Sequence, residues 1–224
     1  MKNLKLAAVC LSCLTMTGCS ALNFSVEGLI NAPKLTSEQS EIHQALIESV
    51  GSNITLKYPK NGEYRSAYVI ANIDDEPTDE AMVFYEYTSN GSEEDGLRVN
   101  ILDKDEDGKW YSVKELAGAG TDIDQVIISP MGSNNQTDVF VGYQNLTNDE
   151  KTMEIYSYTD GDFKRVALDT YSVLEPLDIN NDGYIELITI QRSTNNDTGA
   201  VTAKASMLNM KNNEITRGEN VDMC

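Results

Sequence analysis

The sequence predicts an all-β protein, a partial β-propeller-like array of about three four-stranded blades preceded by one short α-helix. Two observations lead to this prediction. The chain contains an internal repeat, with a spacing of 58 residues between the first two copies and 48 between the second and third. Each copy also has the same order of elements, and about four strands in roughly 50 residues is the size of a propeller blade. The alternative is a β-sandwich in which the similarity between segments is accidental.

Three segments align without gaps, and in each a polar loop leads to an acidic residue and then to an apolar strand. These segments are 72–85, 130–143 and 178–191. A second polar loop and a second strand follow, at 97–101, 153–157 and 201–205. A tight turn then leads to the last strand, at Asp107-Gly108, Asp160-Gly161 and Asn212-Asn213. The copies therefore predict blades at about 66–120, 121–172 and 173–224.

Three blades are fewer than the roughly four to eight of closed propellers. We therefore expect an open arc, a chain completed by other subunits through self-association, or a fragment of a larger propeller. The end of the sequence at 221–224, which has no capping feature, favours a fragment. In that case the strand predicted from Ile54 to Tyr58 would close the ring with a final blade.

A helix is predicted over 36–50, where Ile42, Leu46 and Val50 recur every four residues and form an apolar stripe. The single histidine of the chain, His43, lies in this segment. Nothing nearby supplies the partners that a catalytic or metal-binding histidine needs, so we expect His43 at the surface or in helix packing.

The N-terminus has the layout of a secretory signal. Lys2 and Lys5 precede an apolar run over 6–16, and no acid lies among these residues. This run is too short to span a bilayer, so a retained transmembrane helix is not expected.

Residues 14–19, with the sequence LTMTGC, place a small residue directly before a cysteine and resemble the lipobox of bacterial lipoproteins. The resemblance implies lipidation of Cys19 with diacylglycerol and removal of residues 1–18 as a signal peptide. It also implies a protein anchored to a membrane outside the cytoplasm, because two acyl chains anchor stably where one does not. Residues 19–35 would carry the lipid and form a flexible tether. The alternative is an ordinary signal peptide with an incidental cysteine.

The chain is strongly acidic, with 36 Asp and Glu against 17 Lys and Arg and a formal net charge of −19. Removal of residues 1–18, which contain two lysines and no acid, changes this charge to −21. Such a chain repels nucleic acid, which is excluded as a partner. Cys10 and Cys13 lie in the signal and Cys19 would carry the lipid, so Cys224 is left without a partner for a disulfide.

The clearest metal-binding pattern lies at 178–186, in the third copy of the repeat. Oxygen-bearing side chains occupy positions 1, 3, 5 and 9 of this loop, namely Asp178, Asn180, Asp182 and Glu186. Gly183 stands where the loop must turn sharply, and the carbonyl of Tyr184 would add a ligand. Calcium takes six to eight oxygen ligands, and this spacing brings alternate side chains to one centre. The alternative is an Asx-rich turn without metal.

At this loop the chain resembles the FG-GAP/VCBS repeats of integrin-like propellers, whose blades carry loops of the form Asp-x-Asp-x-Asp-Gly-x-x-Asp. The resemblance covers about residues 66–224 and implies a weak, structural calcium site at 178–186. The matching positions in the first copy are Asn72, Asp74, Glu76 and Glu80, with Pro77 in place of the glycine. That substitution makes the first loop the weaker candidate.

Two other loops are expected to be free of metal. In the second copy of the repeat only Asn134 and Asp138 keep oxygen-bearing side chains at the matching positions. The run 103–108 is rich in acids, but the repeat register aligns it with hairpin turns. We therefore expect an acidic hairpin turn there.

The sequence contains no serine, cysteine or histidine constellation, no phosphate loop and no zinc spacing, so we expect no enzyme. The resemblance to integrin-like repeats implies a non-catalytic binding or scaffold module at the cell surface, with an unknown protein or glycan as ligand. The alternative is a self-assembling structural subunit or a fragment of a larger propeller. An enzyme-accessory domain is a weaker third possibility.

Overall fold

The structure, a computed structural model, describes residues 35–88, 96–131, 136–145, 150–195, 197–211 and 214–223. Cys19, the predicted signal peptide and almost all of the predicted tether lie outside these residues. Residues Ser37–Cys224 form one compact unit. None of the described helices is both long and apolar enough to cross a membrane.

The described chain contains one helix followed by fourteen strands, all paired antiparallel. The helix α1 spans Ser37–Val50, and the strands of the first sheet are β1 (Ile54–Leu56), β2 (Tyr68–Ala71), β3 (Glu80–Tyr87), β4 (Leu97–Lys104) and β5 (Trp110–Ala117). The second sheet contains β6 (Asp122–Ser129), β7 (Asp138–Gln144), β8 (Lys151–Thr159) and β9 (Asp162–Tyr171). The third contains β10 (Val173–Leu177), β11 (Glu186–Thr194), β12 (Val201–Lys211), β13 (Glu214–Arg217) and β14 (Val221–Met223). The predicted all-β class with one preceding helix is confirmed.

Each sheet is a meander that is four strand positions wide. The second sheet has the order β6-β7-β8-β9, and the third the order β10-β11-β12-β13. In the first sheet, β1 and β2 share the free edge of β3, where Ile54 pairs with Tyr87 and Val69 pairs with Met82. The strand predicted to close a ring with a final blade therefore belongs to the first sheet instead. Among the described strands no sheet closes on itself.

The fourth position of the third sheet is also shared by two short strands. Both β13 and β14 pair with β12, on the edge away from β11. Between them the amide of Gly218 donates to the carbonyl of Met207 at 2.8 Å and continues the pairing. The short final strand therefore extends this edge.

Strand β3 is buried on both faces. Successive side chains of a strand point to opposite sides, so alternate residues of β3 pack against different neighbours. Ala81 and Val83 pack against α1, while Met82 and Phe84 pack against the second sheet. On the helix, Ile42 and Leu46 are fully buried, and such burial stabilises by about 1.5–3 kcal/mol for each side chain. The helix is thus a cover for the outer side of the first sheet.

The same alternation places the second sheet between the first and the third. Val139 and Val141 of β7 pack against the first sheet, and Phe140 packs against the third. Leu187 of β11 faces the second sheet. The order of layers is therefore α1, first sheet, second sheet and third sheet.

Two of the predicted tight turns are present. Asp160 and Gly161, with φ of 56° and 76°, form the two-residue turn between β8 and β9. In the turn between β4 and β5, Gly108 has a φ of 77°. Both positions need the left-handed region, which glycine adopts without steric cost. The third predicted turn, Asn212-Asn213, lies outside the described residues.

Candidate functional site

The three sheets share one feature that the sequence alignment did not explain. The acid at the first residue of β3, β7 and β11 accepts a hydrogen bond from the backbone amide seven residues before it. The pairs are Glu80 Oε2 with Ile73 at 2.8 Å, Asp138 Oδ2 with Met131 at 3.0 Å, and Glu186 Oε2 with Ile179 at 2.9 Å. All three acids are buried. Their shared role is to close the loop that precedes the strand.

In the third loop, the predicted ligand residues turn their oxygens toward backbone amides of the loop. Both carboxylate oxygens of Asp178 accept bonds, from the amides of Asp182 at 3.1 Å and Gly183 at 2.9 Å. The Oδ1 atom of Asn180 accepts from the same Asp182 amide at 2.9 Å. Asp182 in turn accepts from the amide of Tyr184 at 2.9 Å. Gly183 has a φ of 88°, which provides the sharp turn that the spacing predicts.

The donor set of this loop fits calcium chemically, because it consists of carboxylate and amide oxygens. Asp178 and Asn180 share one amide donor, so their oxygens lie close together. Glu186 differs, since its oxygens are bonded to the Ile179 amide and to the Asn180 side chain. No group of three or more acidic, histidine or cysteine side chains within the described ranges is already arranged for a metal ion. Asp178, Asn180 and Asp182 are the residues that would hold calcium, and the ion would neutralise the charges of the two aspartates.

The first loop is built differently. The side-chain amide of Asn72 donates to the carbonyls of Glu76 at 2.5 Å and Thr78 at 3.0 Å, whereas Asp178 in the third loop only accepts. Asp74 accepts from the Glu76 amide at 2.7 Å, as Asn180 does in the third loop. The nitrogen of Asn72 therefore faces the loop where a cation would need an oxygen.

Glu80 is the buried acid of this first loop and has an incomplete set of partners. Its Oε1 atom has no hydrogen-bond partner among the described residues. Burial raises the pKa of Glu80 to about 7, and the charges of Asp74 and Asp103 add to the increase. These three acids line a cavity of about 190 Å³ between the first and second sheets.

The remaining acidic loops have structural roles. Asp138 uses both oxygens, toward the Met131 amide and the Ser157 hydroxyl, while residues 132–135 of its loop lie outside the described residues. Asp105 accepts from the amides at 107 and 109, at 3.0 and 2.8 Å, and holds the turn between β4 and β5. The predicted acidic hairpin turn is therefore confirmed.

A larger cleft lies elsewhere, where three parts of the chain meet. It has a volume of about 500 Å³ and is lined by residues 61–64, by residues 124–128 of β6 and by residues 172–176 at the start of the third sheet, together with Lys151. Residues 60–64, which we call the crossing segment, lie between β1 and β2 of the first sheet and reach across to β6 of the second sheet. The cleft thus has walls from the crossing segment, the second sheet and the third sheet.

Backbone pairing fixes the crossing segment against the second sheet. The amides of Lys60 and Asn61 donate to carbonyls of β6 at 3.1 and 2.7 Å. Gly62 follows with a φ of 81°, and a β-carbon there would lie 3.3 Å from the Cβ of Gln125. A glycine is needed for both reasons, because other residues rarely adopt this φ and would crowd β6.

Asp124 is the buried charge at the base of the cleft. Its Oδ1 atom accepts from the Asn61 side chain and the Lys151 ammonium, both at 2.8 Å, and its Oδ2 atom accepts from the Tyr171 hydroxyl at 2.6 Å. Burial alone would raise the pKa of Asp124, but these hydrogen bonds and the charge of Lys151 outweigh it and keep the pKa below its ordinary value. The carboxylate is therefore ionised at neutral pH, and its contribution to stability is lost only as the pH falls through this lowered pKa.

Sequence reasoning missed this network. The available signal was Asp124 itself, an acid that directly follows Ile123 shortly before the apolar run 126–128 of β6. His43, by contrast, was expected at the surface or in helix packing. Its Nδ1 atom lies 2.8 Å from the Tyr68 hydroxyl in the contact between α1 and the first sheet.

The chain was compared with protein-family models, with curated proteins and with solved structures, and none of the three comparisons gave a match. The function is therefore argued from the chemistry of the cleft and of the third loop.

Proposed function

We propose that this protein is a non-catalytic lipoprotein at the cell surface that binds a protein or glycan ligand in the cleft between its second and third sheets. The observation that carries the proposal is the cleft itself, about 500 Å³ in volume, which falls within the range of ligand pockets. Its base is a buried hydrogen-bond network, and such a network keeps the walls in fixed positions without a ligand.

The polar groups of the cleft suit recognition better than catalysis. Both oxygens of Asp124 are occupied by donors, and Lys151 is held by that carboxylate. An ionised acid paired with a lysine in this way does not serve as a base or a nucleophile without first losing these bonds. The side chain toward solvent is Glu63, with the half-buried ring of Tyr64 beside it.

These rim groups indicate the chemistry of the ligand. Carboxylates accept hydrogen bonds from hydroxyl and amide groups, and an aromatic ring packs against the apolar face of a sugar or a peptide side chain. A glycan or a polar peptide segment carries both kinds of group. Nucleic acid remains excluded because the chain has a net charge of −19.

The proposed location rests on the sequence around Cys19, which resembles a lipobox. A diacylglycerol on this cysteine would hold the protein at a membrane outside the cytoplasm, with residues 19–35 as tether. We also propose that the three sheets are blades of a partial propeller of the FG-GAP/VCBS kind. Support comes from the repeated meander and from the loop that an acid closes before the second strand of each sheet. Calcium at 178–186 would have a structural role.

Crosslinking from the cleft tests the binding role. A photoreactive amino acid is placed at Glu63 or Tyr64 of the cleft in the full chain, which is expressed in its native cells. A control position is Val113, which is 56% exposed on the first sheet. Both cleft positions should give the same discrete crosslinked species, which Val113 should not give. The proposal would be contradicted if neither cleft position gave a crosslinked product, or if Val113 gave the same product.

A second candidate function is self-assembly. It is favoured by one observation, the exposed apolar outer side of the third sheet.

A further inference from the structure

We infer that the outer side of the third sheet is the interface of a symmetric dimer formed by two copies of this chain. This surface, called the terminal face below, points away from the second sheet. Its central residues are Ile188, Ile190, Ala203, Ala205, Met207 and Val221.

The internal repeat indicates that the terminal face is built to be covered. The second residue after the loop-closing acid is Met82 in the first sheet, Phe140 in the second and Ile188 in the third. Met82 packs against the second sheet, and Phe140 packs against the third. Ile188 has the same position and direction, but no described element lies over it. The third sheet therefore presents to solvent the face with which the other two sheets pack.

The exposure of the surrounding side chains supports this assignment. Val201 and Val221 are 65% and 64% exposed, and Met223 is 48% exposed. All three lie on the same side of the sheet as Ile190, because paired residues of antiparallel strands point to the same face. Contiguous apolar side chains of this kind mark interaction sites on soluble proteins.

The opposite end of the stack determines which arrangement of copies is possible. The outer side of the first sheet is covered by α1, whose Ile42 and Leu46 are fully buried. A second copy therefore cannot place its terminal face on the first sheet, and head-to-tail stacking is blocked. Two terminal faces can still meet, in a relation where each copy presents the same surface. Such a contact closes at two chains and does not continue into a filament.

The charges on the terminal face are compatible with self-association. The chain has a net charge of −19, yet the central rows of this face carry apolar residues. Arg192 lies toward one end of β11, and Glu175 lies toward the other. A two-fold axis that crosses the strands brings the basic end of one copy toward the acidic end of the other. Self-repulsion is thus confined to the remaining surface.

The area is sufficient for a dimer of moderate affinity. Four strands at about 4.8 Å spacing and about eight residues at 3.4 Å rise give roughly 500 Å² per copy as a flat rectangle. Two copies would together bury roughly 1,000 Å², without the additional area of the protruding side chains. This area reaches the lower range of specific interfaces. We therefore expect dissociation constants in the micromolar range.

The mass of the protein in solution tests the inference. The chain from Ser20 to Cys224 contains the whole compact unit, and a reductant keeps its one thiol, Cys224, from forming a disulfide between copies. Light scattering after size exclusion, over roughly 1–100 μM, should show twice the mass of one chain at the upper concentrations. Raising the salt concentration should strengthen the dimer, because salt screens the repulsion between two acidic copies and leaves the apolar contact intact.

Three variants separate the terminal face from other surfaces. Met207→Glu and Val221→Glu place charges on the face and should give monomers at every concentration, whereas Val113→Glu alters an exposed valine of the first sheet and should remain dimeric. Circular dichroism of each variant at low concentration identifies any that fails to fold. A monomeric wild type, a dimer that survives both face variants, or an assembly larger than two chains would overturn the inference. None of these outcomes alters the cleft, so the proposed binding role is tested separately.

Discussion

The Tyr171 hydroxyl donates a 2.6 Å hydrogen bond to Asp124 and so connects the two edge strands of the second sheet. Tyr171 ends β9, Asp124 lies in β6, and the tyrosine ring passes over Gly142 of β7 to reach the carboxylate. A β-carbon at position 142 would lie only 2.1 Å from the Tyr171 hydroxyl oxygen. The glycine therefore provides the path by which one side chain crosses the sheet. The bond fixes the base of the cleft to the end of β9, directly before the residues of the third sheet that line the cleft.

Removal of this hydroxyl should destabilise the protein. Tyr171→Phe takes one of three donors from a buried carboxylate, and a hydrogen bond to a charged group contributes about 1.5–3 kcal/mol. Urea unfolding should show a loss of that size, while Tyr58→Phe, at a tyrosine that is 57% exposed, should change little. Equal stability of wild type and Tyr171→Phe would show that the bond contributes nothing.

Gly142→Ala tests the same relationship from the other side. The added methyl group overlaps the Tyr171 hydroxyl, so either the ring or the strand must move, at a cost of about 1–3 kcal/mol or more. The double variant Gly142→Ala with Tyr171→Phe should lose less than the sum of the single variants, because both remove the same bond. Additive losses measured by urea unfolding would contradict the proposed overlap.

The raised pKa of Glu80 should make the stability of the protein fall as the pH rises. Its pKa is about 7 in the folded protein and about 4.5 in the unfolded chain, so the folded state binds more protons between these values. Stability is therefore greatest below the unfolded pKa and falls as the pH rises toward and through the folded pKa. The loss at this residue is on the order of 3 kcal/mol.

The variant Glu80→Gln should remove this dependence. It keeps an oxygen for the Ile73 amide but cannot ionise, so its stability relative to wild type should increase between pH 5 and pH 8. Urea unfolding at several pH values measures the difference. Glu63→Gln, at an exposed acid, reports the general effect of removing one negative charge. If both variants respond to pH in the same way, the burial of Glu80 is not the cause.

Calcium should raise the unfolding temperature of the chain from Ser20 onward. In the third loop the oxygens of Asp178 and Asp182 are turned toward amides of the same turn, and the ion would relieve the repulsion between these acids. Asp178→Ala or Asp182→Ala should abolish the increase, whereas Asp105→Ala, in the acidic hairpin turn, should keep it. Thermal unfolding in millimolar calcium against a chelator gives the answer, and an unchanged wild type would end the calcium hypothesis.

Cys19→Ser should release the protein from the membrane. The substitution removes the only sulfur to which the proposed diacylglycerol could be attached at the cleavage site, so incorporation of a labelled fatty acid should fall to background. Cys13→Ser, within the proposed signal, should retain the label. Labelling of both variants would show that Cys19 is not the modified residue.

Local features of the fold were predictable from the sequence because their causes are local. The apolar stripe predicted a helix over 36–50, and the structure has it at Ser37–Val50. Asp160 and Gly161 predicted their turn because few other residues tolerate the required backbone angles. The repeat alignment also placed the acid before each second strand correctly.

The cleft could not be predicted, because its parts are far apart in the chain. Asp124 meets Asn61, Lys151 and Tyr171, which are 63, 27 and 47 residues away. Each partner occurs in an unremarkable sequence context. The position of the strand predicted from Ile54 to Tyr58 was wrong for a related reason, since its pairing with β3 depends on the order of the sheets and not on its own residues.

The bond between the acid and the amide seven residues earlier has a consequence for the divergence of such repeats. Every residue except proline supplies a backbone N–H donor, so almost any residue can occupy the position of the upstream partner. Ile73, Met131 and Ile179 are interchangeable in this respect. Most residues of each loop could therefore be substituted while the loop kept its conformation, as long as one carboxylate remained ahead of the apolar strand. The ancestry of these repeats would then be recorded in a spacing rather than in identities.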